Sequence, residues 1–451
     1  VSGIALTRRP ATTGPLLLVV VGLAGFLTTL DNTAVTVALP SIQRDLGAGL
    51  SALEWVATGY LLTFAGLMPA GGRLADVHGH RKVLLAGLAA FTVASLGAGL
   101  ATTIHLLVAA RLAQGAGAAL VLPATLAVLA GRDERQRSMG VAVWMASGAG
   151  ALALGPVVGG YLSQHAHWSW VFLVNVPMGA VVIALASVAV PHAGGGVRRS
   201  LDVPGVLASV AFLASGTFAL IQGGAHGWDS PPVVAALLVC AGSGAAFALV
   251  ERRAADPMVD LRLFAVRAFT GGVVAQVLWG LGVNGVFFYT ALFLQGVLGF
   301  TPTASGLAFV PLALLVVLVT PLAPAVERRL GAGRTVAIGL TLVAGGMAVA
   351  ATLEAGDGWA RLLPAVCAIG VGSALTMPLG SAVLGAVPEE RAGVAGGVFS
   401  VSREISGLFG IAAVGVIVHA AAGFASGYAA GLLVAAGLVL VGALVSLAAL
   451  P

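Results

Sequence analysis

Residues 51–101 read SALEWVATGYLLTFAGLMPAGGRLADVHGHRKVLLAGLAAFTVASLGAGLA. An apolar run over 51–73 meets a short basic turn, and a second apolar run follows over 82–101. Each run is about 20 residues long, the length at which an α-helix rising 1.5 Å per residue crosses the hydrocarbon of a bilayer. Arg73, Arg81 and Lys82 lie at the turn. Basic residues concentrate in cytoplasmic connections, so the stretch reads as two membrane helices joined on the cytoplasmic side.

The same pattern extends in both directions. Fourteen spans are predicted, at 16–40, 51–73, 82–101, 104–130, 139–162, 169–190, 204–222, 232–250, 269–295, 303–326, 335–353, 359–384, 392–419 and 426–450. Composition agrees. Of 451 residues, 59% are hydrophobic and 9% are charged, and mean hydropathy is +1.04. A water-facing surface needs roughly 25% charged residues, so this exterior must face lipid. The 64 glycines suit membrane helices that approach closely. A membrane β-barrel would instead show alternating segments of about 10 residues. The expected fold class is an all-α polytopic membrane protein.

Loop charges orient the spans. With the N-terminus inside, 18 of the 22 basic residues fall on the cytoplasmic side, including Arg8, Arg9, Arg198 and Arg199. Only Arg44 and Arg361 fall outside, while Arg111 and Arg403 lie within spans. Both termini are therefore expected in the cytoplasm. The first apolar run is too long for a secretory signal and contains Asp31.

GRLADVHGHRKVLLAGL at 72–88 aligns with PAVERRLGAGRTVAIGL at 324–340, matching Gly79, Gly87 and Leu88 to Gly331, Gly339 and Leu340. Both stretches join the second helix of a six-helix block to its third. Duplicated halves with a site between them are a common plan in secondary transporters. The expected organisation is a tail over 1–15, a six-helix half over 16–190, an inserted helix pair with flanking loops over 191–268, and a second six-helix half over 269–451.

Charges inside the hydrocarbon are costly and ask for a reason. Asp31 lies nine residues before Pro40 and Arg111 seven after Ile104, in antiparallel helices, about 13 and 10 Å below the same surface. Burial disfavours a carboxylate and a nearby guanidinium favours it, a balance that suits proton loading and release. The structural alternative is a plain ion pair between helices. Glu404, beside Arg403, is a second candidate proton site, and Glu54 reads as an interfacial charge. Gly155, Pro156, Gly159 and Gly160 combine bare patches one turn apart with a missing backbone donor, a tight and bent helix contact. Gly72, Asp76, Gly79 and Arg81 form a glycine-flanked acidic and basic turn.

Other classes lack their signatures. Lys82 is the sole lysine and follows Arg81, so no GxxxxGK[ST] loop exists, and GxSxG, HExxH and CxxC are absent. Cys240 and Cys367 lie in apolar runs and read as small buried hydrophobes. No metal set surrounds any histidine. The basic residues form no face with interleaved aromatics, so no nucleic acid is expected.

These motifs together resemble the major facilitator superfamily, in particular its fourteen-helix drug:proton antiporter branch. LDNTAVTVALP at 30–40 is similar to the branch's helix 1 motif, with Asp31 at its acidic position. GRLADVHGHRKVL at 72–84 resembles the loop signature, and RLAQGAGAAL at 111–120 the helix 4 motif with Arg111, Gln114 and Gly115. ALALGPVVGGYL at 151–162 resembles the helix 5 antiporter motif, and WSWVFLVNVP at 168–177 also matches the branch. Val77, His80, Ala151, Thr36 and Ser169 depart from the usual residues.

The resemblance implies alternating access and export of a small amphiphilic compound in exchange for protons across a bacterial inner membrane. It implies no bound cofactor, the proton gradient being the energy source, and a monomer in the lipid bilayer. The rivals are a proton-coupled importer on the same fold and a non-transporting membrane sensor or scaffold. Few intramembrane acids point to a neutral, zwitterionic or singly charged substrate.

Overall fold

The computed structural model describes residues 13–130, 132–191, 202–254, 259–388 and 391–450. Arg8 and Arg9 of the tail, and Arg198 and Arg199, lie outside the described residues. Among those described, there are no strands and fourteen helices long and apolar enough to cross a membrane. They are α1 (Gly14–Leu46), α2 (Leu50–His78), α3 (His80–Gly99), α4 (Ile104–Leu129), α5 (Glu134–His165), α6 (Trp170–Ala189) and α7 (Val203–His226). Then follow α8 (Pro231–Arg253), α9 (Arg267–Gly296), α10 (Pro302–Leu330), α11 (Ala332–Ala350), α12 (Trp359–Gly385), α13 (Ala392–Ala420) and α14 (Phe424–Ala449).

Several helices outrun the apolar limits read from sequence. α1 continues six residues past Pro40, because helix geometry persists into the polar layer after hydropathy falls. Three spans are interrupted where proline removes a backbone donor. α6 is broken at Val174, ahead of Pro177. α10 is broken at Phe309 before Pro311 and tightens to a 3₁₀ turn around Pro321. α12 is broken at Thr376 and Met377 before Pro378.

The spans alternate in direction, so α1 begins and α14 finishes at one end of the bundle, here the terminal end. The opposite end is the distal end. Packing repeats between the first six and the last six helices. α1 lies on α5 as α9 lies on α13, α3 on α4 as α11 on α12, and α3 on α6 as α11 on α14.

The aligned stretches behave alike in detail. Gly79 and Gly331 both take positive φ, 93° and 84°, at the turn after α2 and after α10. Side chains with a Cβ rarely adopt that conformation, which explains glycine at both. Eight residues on, Gly87 packs against the backbone of Gly117 in α4, and Gly339 against that of Gly372 in α12. Leu88 and Leu340 are both wholly buried.

Two seams join the six-helix groups. α2 meets α13, and α5 meets α10, contacts that exchange under the repeat. Hydrogen bonds between the two groups cluster at the distal end. Gln295 Nε2 of α9 donates to the Val37 carbonyl of α1 at 2.9 Å, and Thr303 N of α10 to Gln164 Oε1 of α5 at 3.0 Å. α7 packs on α2 and α13 along the outside of one seam, and α8 lies beyond it against α7. α8 presents Leu237, Leu238 and Val239 outward, the apolar face that lipid requires.

Candidate functional site

Asp31 belongs to α1 and Arg111 to α4, and the fold brings them into contact. Arg111 Nη1 lies 2.5 Å from Asp31 Oδ2, with both side chains fully buried. Gln114, one helical turn from Arg111, donates from Nε2 to Asp31 Oδ1 at 2.7 Å. Asn175 of α6 donates from Nδ2 to the same oxygen at 2.7 Å. Asp31 thus accepts from three donors on two helices, the arrangement that suits an ionised carboxylate.

A second set of contacts fixes the donors. Arg111 Nε donates to the Val56 carbonyl of α2 at 3.0 Å, and Nη1 reaches Gln114 Oε1 at 2.6 Å. Gln114 Nε2 also lies 2.8 Å from Ser95 Oγ of α3. The guanidinium sits over the Tyr60 ring at 4.5 Å and near that of Phe172 at 5.8 Å. Arg is suited to this role, since its planar fork makes several directed bonds and stacks on aromatic faces. Arg111 Nη2 and Asn175 Oδ1 have no hydrogen-bond partner among the described residues. The network is built wholly from α1, α2, α3, α4 and α6, inside the first six-helix group.

Gly115 lets α4 approach α2, because a Cβ there would overlap the Tyr60 carbonyl. Asp31 is therefore held by a close-packed wall, and Thr36 bonds to the carbonyl of Asn32, one turn back in its own helix.

Glu404 takes no part in that network. Its Oε1 accepts from Arg403 Nε at 3.1 Å and Nη2 at 3.0 Å. It shares a face of α13 with Gly415, eleven residues or about three turns on, which packs toward Glu54 of α2.

The α5 motif makes two contacts at once. A Cβ on Gly155 would strike Thr33, and one on Gly159 the Ala34 backbone, both in α1. Gly160 faces the other way and lies on the Pro302 backbone of α10, while Gly306 of α10 lies on the Pro156 carbonyl. This motif therefore pins α5 to its own group and closes one seam. In the loop motif, Gly79 makes the turn, Gly72 lies beside Pro123 of α4, and the Arg81 guanidinium donates to the Ser187 carbonyl of α6. Asp76 is partly exposed.

Sequence reasoning did not single out Asn175, Ser95 or Tyr60. Asn175 was the most legible of the three, a lone amide in the apolar stretch WSWVFLVNVP. Glu54 requires a correction. It is wholly buried, not interfacial, because α13 and α9 cover it from the other six-helix group.

Residues 21–411 match the Major Facilitator Superfamily. The chain is 36% identical over 400 residues to a methylenomycin A resistance protein of Streptomyces coelicolor, covering 87% of this chain and 83% of that protein. It is 37% identical over 435 residues to the cephamycin export protein CmcT of Amycolatopsis lactamdurans, covering 91% and 87%. It is 32% identical over 430 residues to a tetracenomycin C resistance and export protein of Streptomyces glaucescens, covering 94% and 79%.

Among solved structures, it superposes on a POT family transporter in complex with 5-aminolevulinic acid with TM-score 0.73 at 12% identity, over 98% of this chain and 96% of that one. A peptide transporter POT in complex with sulfate gives 0.71 at 16% identity, over 96% and 94%. These two share the fold. Fourteen spans, the repeated packing and the extended sequence match agree, and the chain belongs to the Major Facilitator Superfamily of multi-pass membrane transporters.

Proposed function

We propose that this protein exports a small amphiphilic compound from the cytoplasm in exchange for protons, by alternating access between residues 16–190 and 269–451. The resistance and export names of its relatives support the direction and the substrate class. The observation that carries the proton assignment is the buried contact between Asp31 and Arg111, sealed from solvent on every side. A buried carboxylate with a fixed counter-charge changes its proton affinity when its donors move, which is what coupling requires.

In this reading the terminal end is cytoplasmic, and the distal bonds hold the outer side shut. Asp31 is the principal proton carrier. Arg111 and Gln114 position its carboxyl, and Gly115 lets their helix come close enough to do so. Glu404, paired with its neighbour Arg403 on α13, is the second acid assigned to proton handling. Gly155, Pro156, Gly159 and Gly160 seal the outer half of the path. Gly72, Asp76, Gly79 and Arg81 control the cytoplasmic turn. The energy source is the proton gradient, with no resident cofactor, and one chain in the bilayer is the working unit.

Proteoliposomes with a trapped pH indicator test the exchange. Substrate added on the cytoplasmic face should move protons in the opposite direction. Movement in the same direction as the substrate would establish the importer, and binding without flux would establish a sensor.

A further inference from the structure

Glu54 lies outside the Asp31 network. It belongs to α2, yet both side chains bonded to its carboxyl come from the other six-helix group. Tyr289 of α9 donates from its hydroxyl to Glu54 Oε1 at 2.6 Å. His419 of α13 places Nε2 3.1 Å from the same oxygen and 3.4 Å from Ser51 Oγ. Glu54 Oε2 is buried with no hydrogen-bond partner among the described residues. Gly415 gives the cluster its room, since a Cβ there would press on both Tyr289 Oη and Glu54 Oε1.

Glu54 and Ser51 of α2, His419 and Gly415 of α13 and Tyr289 of α9 all lie toward the distal end, where α2 meets the other six-helix group. Opening that seam carries Glu54 one way and Tyr289 with His419 the other. The carboxyl then loses both partners as distal water arrives.

We propose that Glu54 and His419 hold one exchangeable proton between them while the distal seam is shut, so that each closure takes up a proton from the distal solution. An uncompensated buried carboxylate is costly, so the closed pair must be neutral overall, as carboxylate with imidazolium or as acid with imidazole. Either form contains one proton. With the seam open at neutral pH, a hydrated glutamate is ionised and a hydrated histidine is mostly neutral, so the pair holds none. On closing, a proton leaves distal water and forms an N–H bond at Nε2 or an O–H bond at the carboxyl. On reopening it returns to the same side.

The opening of the distal seam, and the place of this proton in the cycle, rest on the proposed alternating access. There, distal acid drives the transporter back toward the state that faces the cytoplasm, while Asp31 carries the transported proton.

Among the described residues, no charged side chain other than His419 bonds to the Glu54 carboxyl. Arg44 and Asp45 of α1, His105 of α4, His226 of α7 and Arg361 of α12 stand at the same end without a bond to Glu54. Tyr428 of α14 is bonded to Thr290.

The sign follows from linkage. The closed state holds the proton more tightly, so it is favoured as pH falls and lost as pH rises. Above about pH 6.5, where a free histidine is neutral, the closed-to-open ratio should change up to about tenfold per pH unit. Below that value the open state also carries the proton, and the response should flatten.

Spin labels at Gly49→Cys and Ala422→Cys, in a Cys240→Ala, Cys367→Ala background in nanodiscs, read this ratio directly. Distances are measured without substrate or gradient between about pH 5.5 and pH 8.5, a range spanning the histidine transition. The short-distance population should grow as pH falls. Glu54→Gln, which keeps the shape and removes the charge, should abolish the response. Tyr289→Phe should move the ratio while keeping its slope.

A parent protein indifferent to pH, or a Glu54→Gln variant with the parental slope, overturns the inference. Because the measurement needs no flux, it stands or falls separately from proton-coupled export, which the pH-indicator vesicles test.

Discussion

Arg111 approaches Asp31 to 2.5 Å with neither side chain exposed, and every other bond either residue makes is also buried. This pair joins the first and fourth helices through a charge that lipid would not tolerate alone. The cost of leaving either partner unpaired in such a place is about 3–5 kcal/mol. Function and folding are therefore coupled at this contact, and variants must be read on both.

Asp31→Asn should abolish substrate-driven proton movement in vesicles while leaving Arg111 as a buried cation without its counter-charge. The purified variant should unfold at lower temperature. Adding Arg111→Gln should recover part of the thermal stability without recovering transport. Full proton exchange in Asp31→Asn would remove Asp31 from the mechanism.

Arg111→Lys keeps the charge but cannot reproduce the fork. A single ammonium reaching Asp31 leaves the Val56 carbonyl and Gln114 Oε1 without their donor. Charge-assisted bonds contribute about 1.5–3 kcal/mol each, so if one of the two is needed in the rate-limiting state turnover should fall roughly 10- to 100-fold. Transport rates at saturating substrate check this, and parental turnover would reduce Arg111 to a counter-ion.

Gly160→Ala adds a methyl group where α5 rests on the Pro302 backbone. Backbone cannot yield as a flexible side chain can, and overpacking of this kind costs about 1–3 kcal/mol. The cost falls on the state in which α5 and α10 touch distally. The variant should spend more time open at that end, seen as faster labelling of Thr303→Cys by a membrane-impermeant thiol reagent.

Asp357, in the distal turn between α11 and α12, gives a prediction about acid. Its carboxylate accepts the Glu354 N–H at 2.9 Å and the Arg361 guanidinium at 3.1 Å. The backbone N–H, and then Arg361, hold its carboxyl below the ordinary carboxylate value. The turn's order is therefore present above about pH 3.9 and lost as pH falls through the lower folded value. Amide exchange at Glu354 should accelerate only in that acidic range, and Asp357→Asn should show no such step.

Much of the architecture was legible because lipid constrains sequence locally. A span must satisfy its own backbone bonds, so hydropathy marked fourteen helices one at a time. Gly79 and Gly331 marked matching turns because each needs a backbone conformation that a Cβ opposes. The common depth of Asp31 and Arg111 followed from helix rise alone, although depth by itself did not make their helices neighbours. Asn175 was less legible, since an amide in an apolar run announces no partner until α6 folds against α1.

Glu54 shows where sequence stops. Its position near a helix end gave the interfacial reading, and only the approach of α9 and α13, more than two hundred residues away, buries it. The sequence by itself determined the spans, their alternation, the repeated halves and the residues able to carry charge, because each follows from the chain's local contest with lipid. Tertiary structure decided which charges meet, that Asp31 lies inside one six-helix group, and that Glu54 lies between the two. Those outcomes depend on which helix faces converge, and no local property of the chain encodes that.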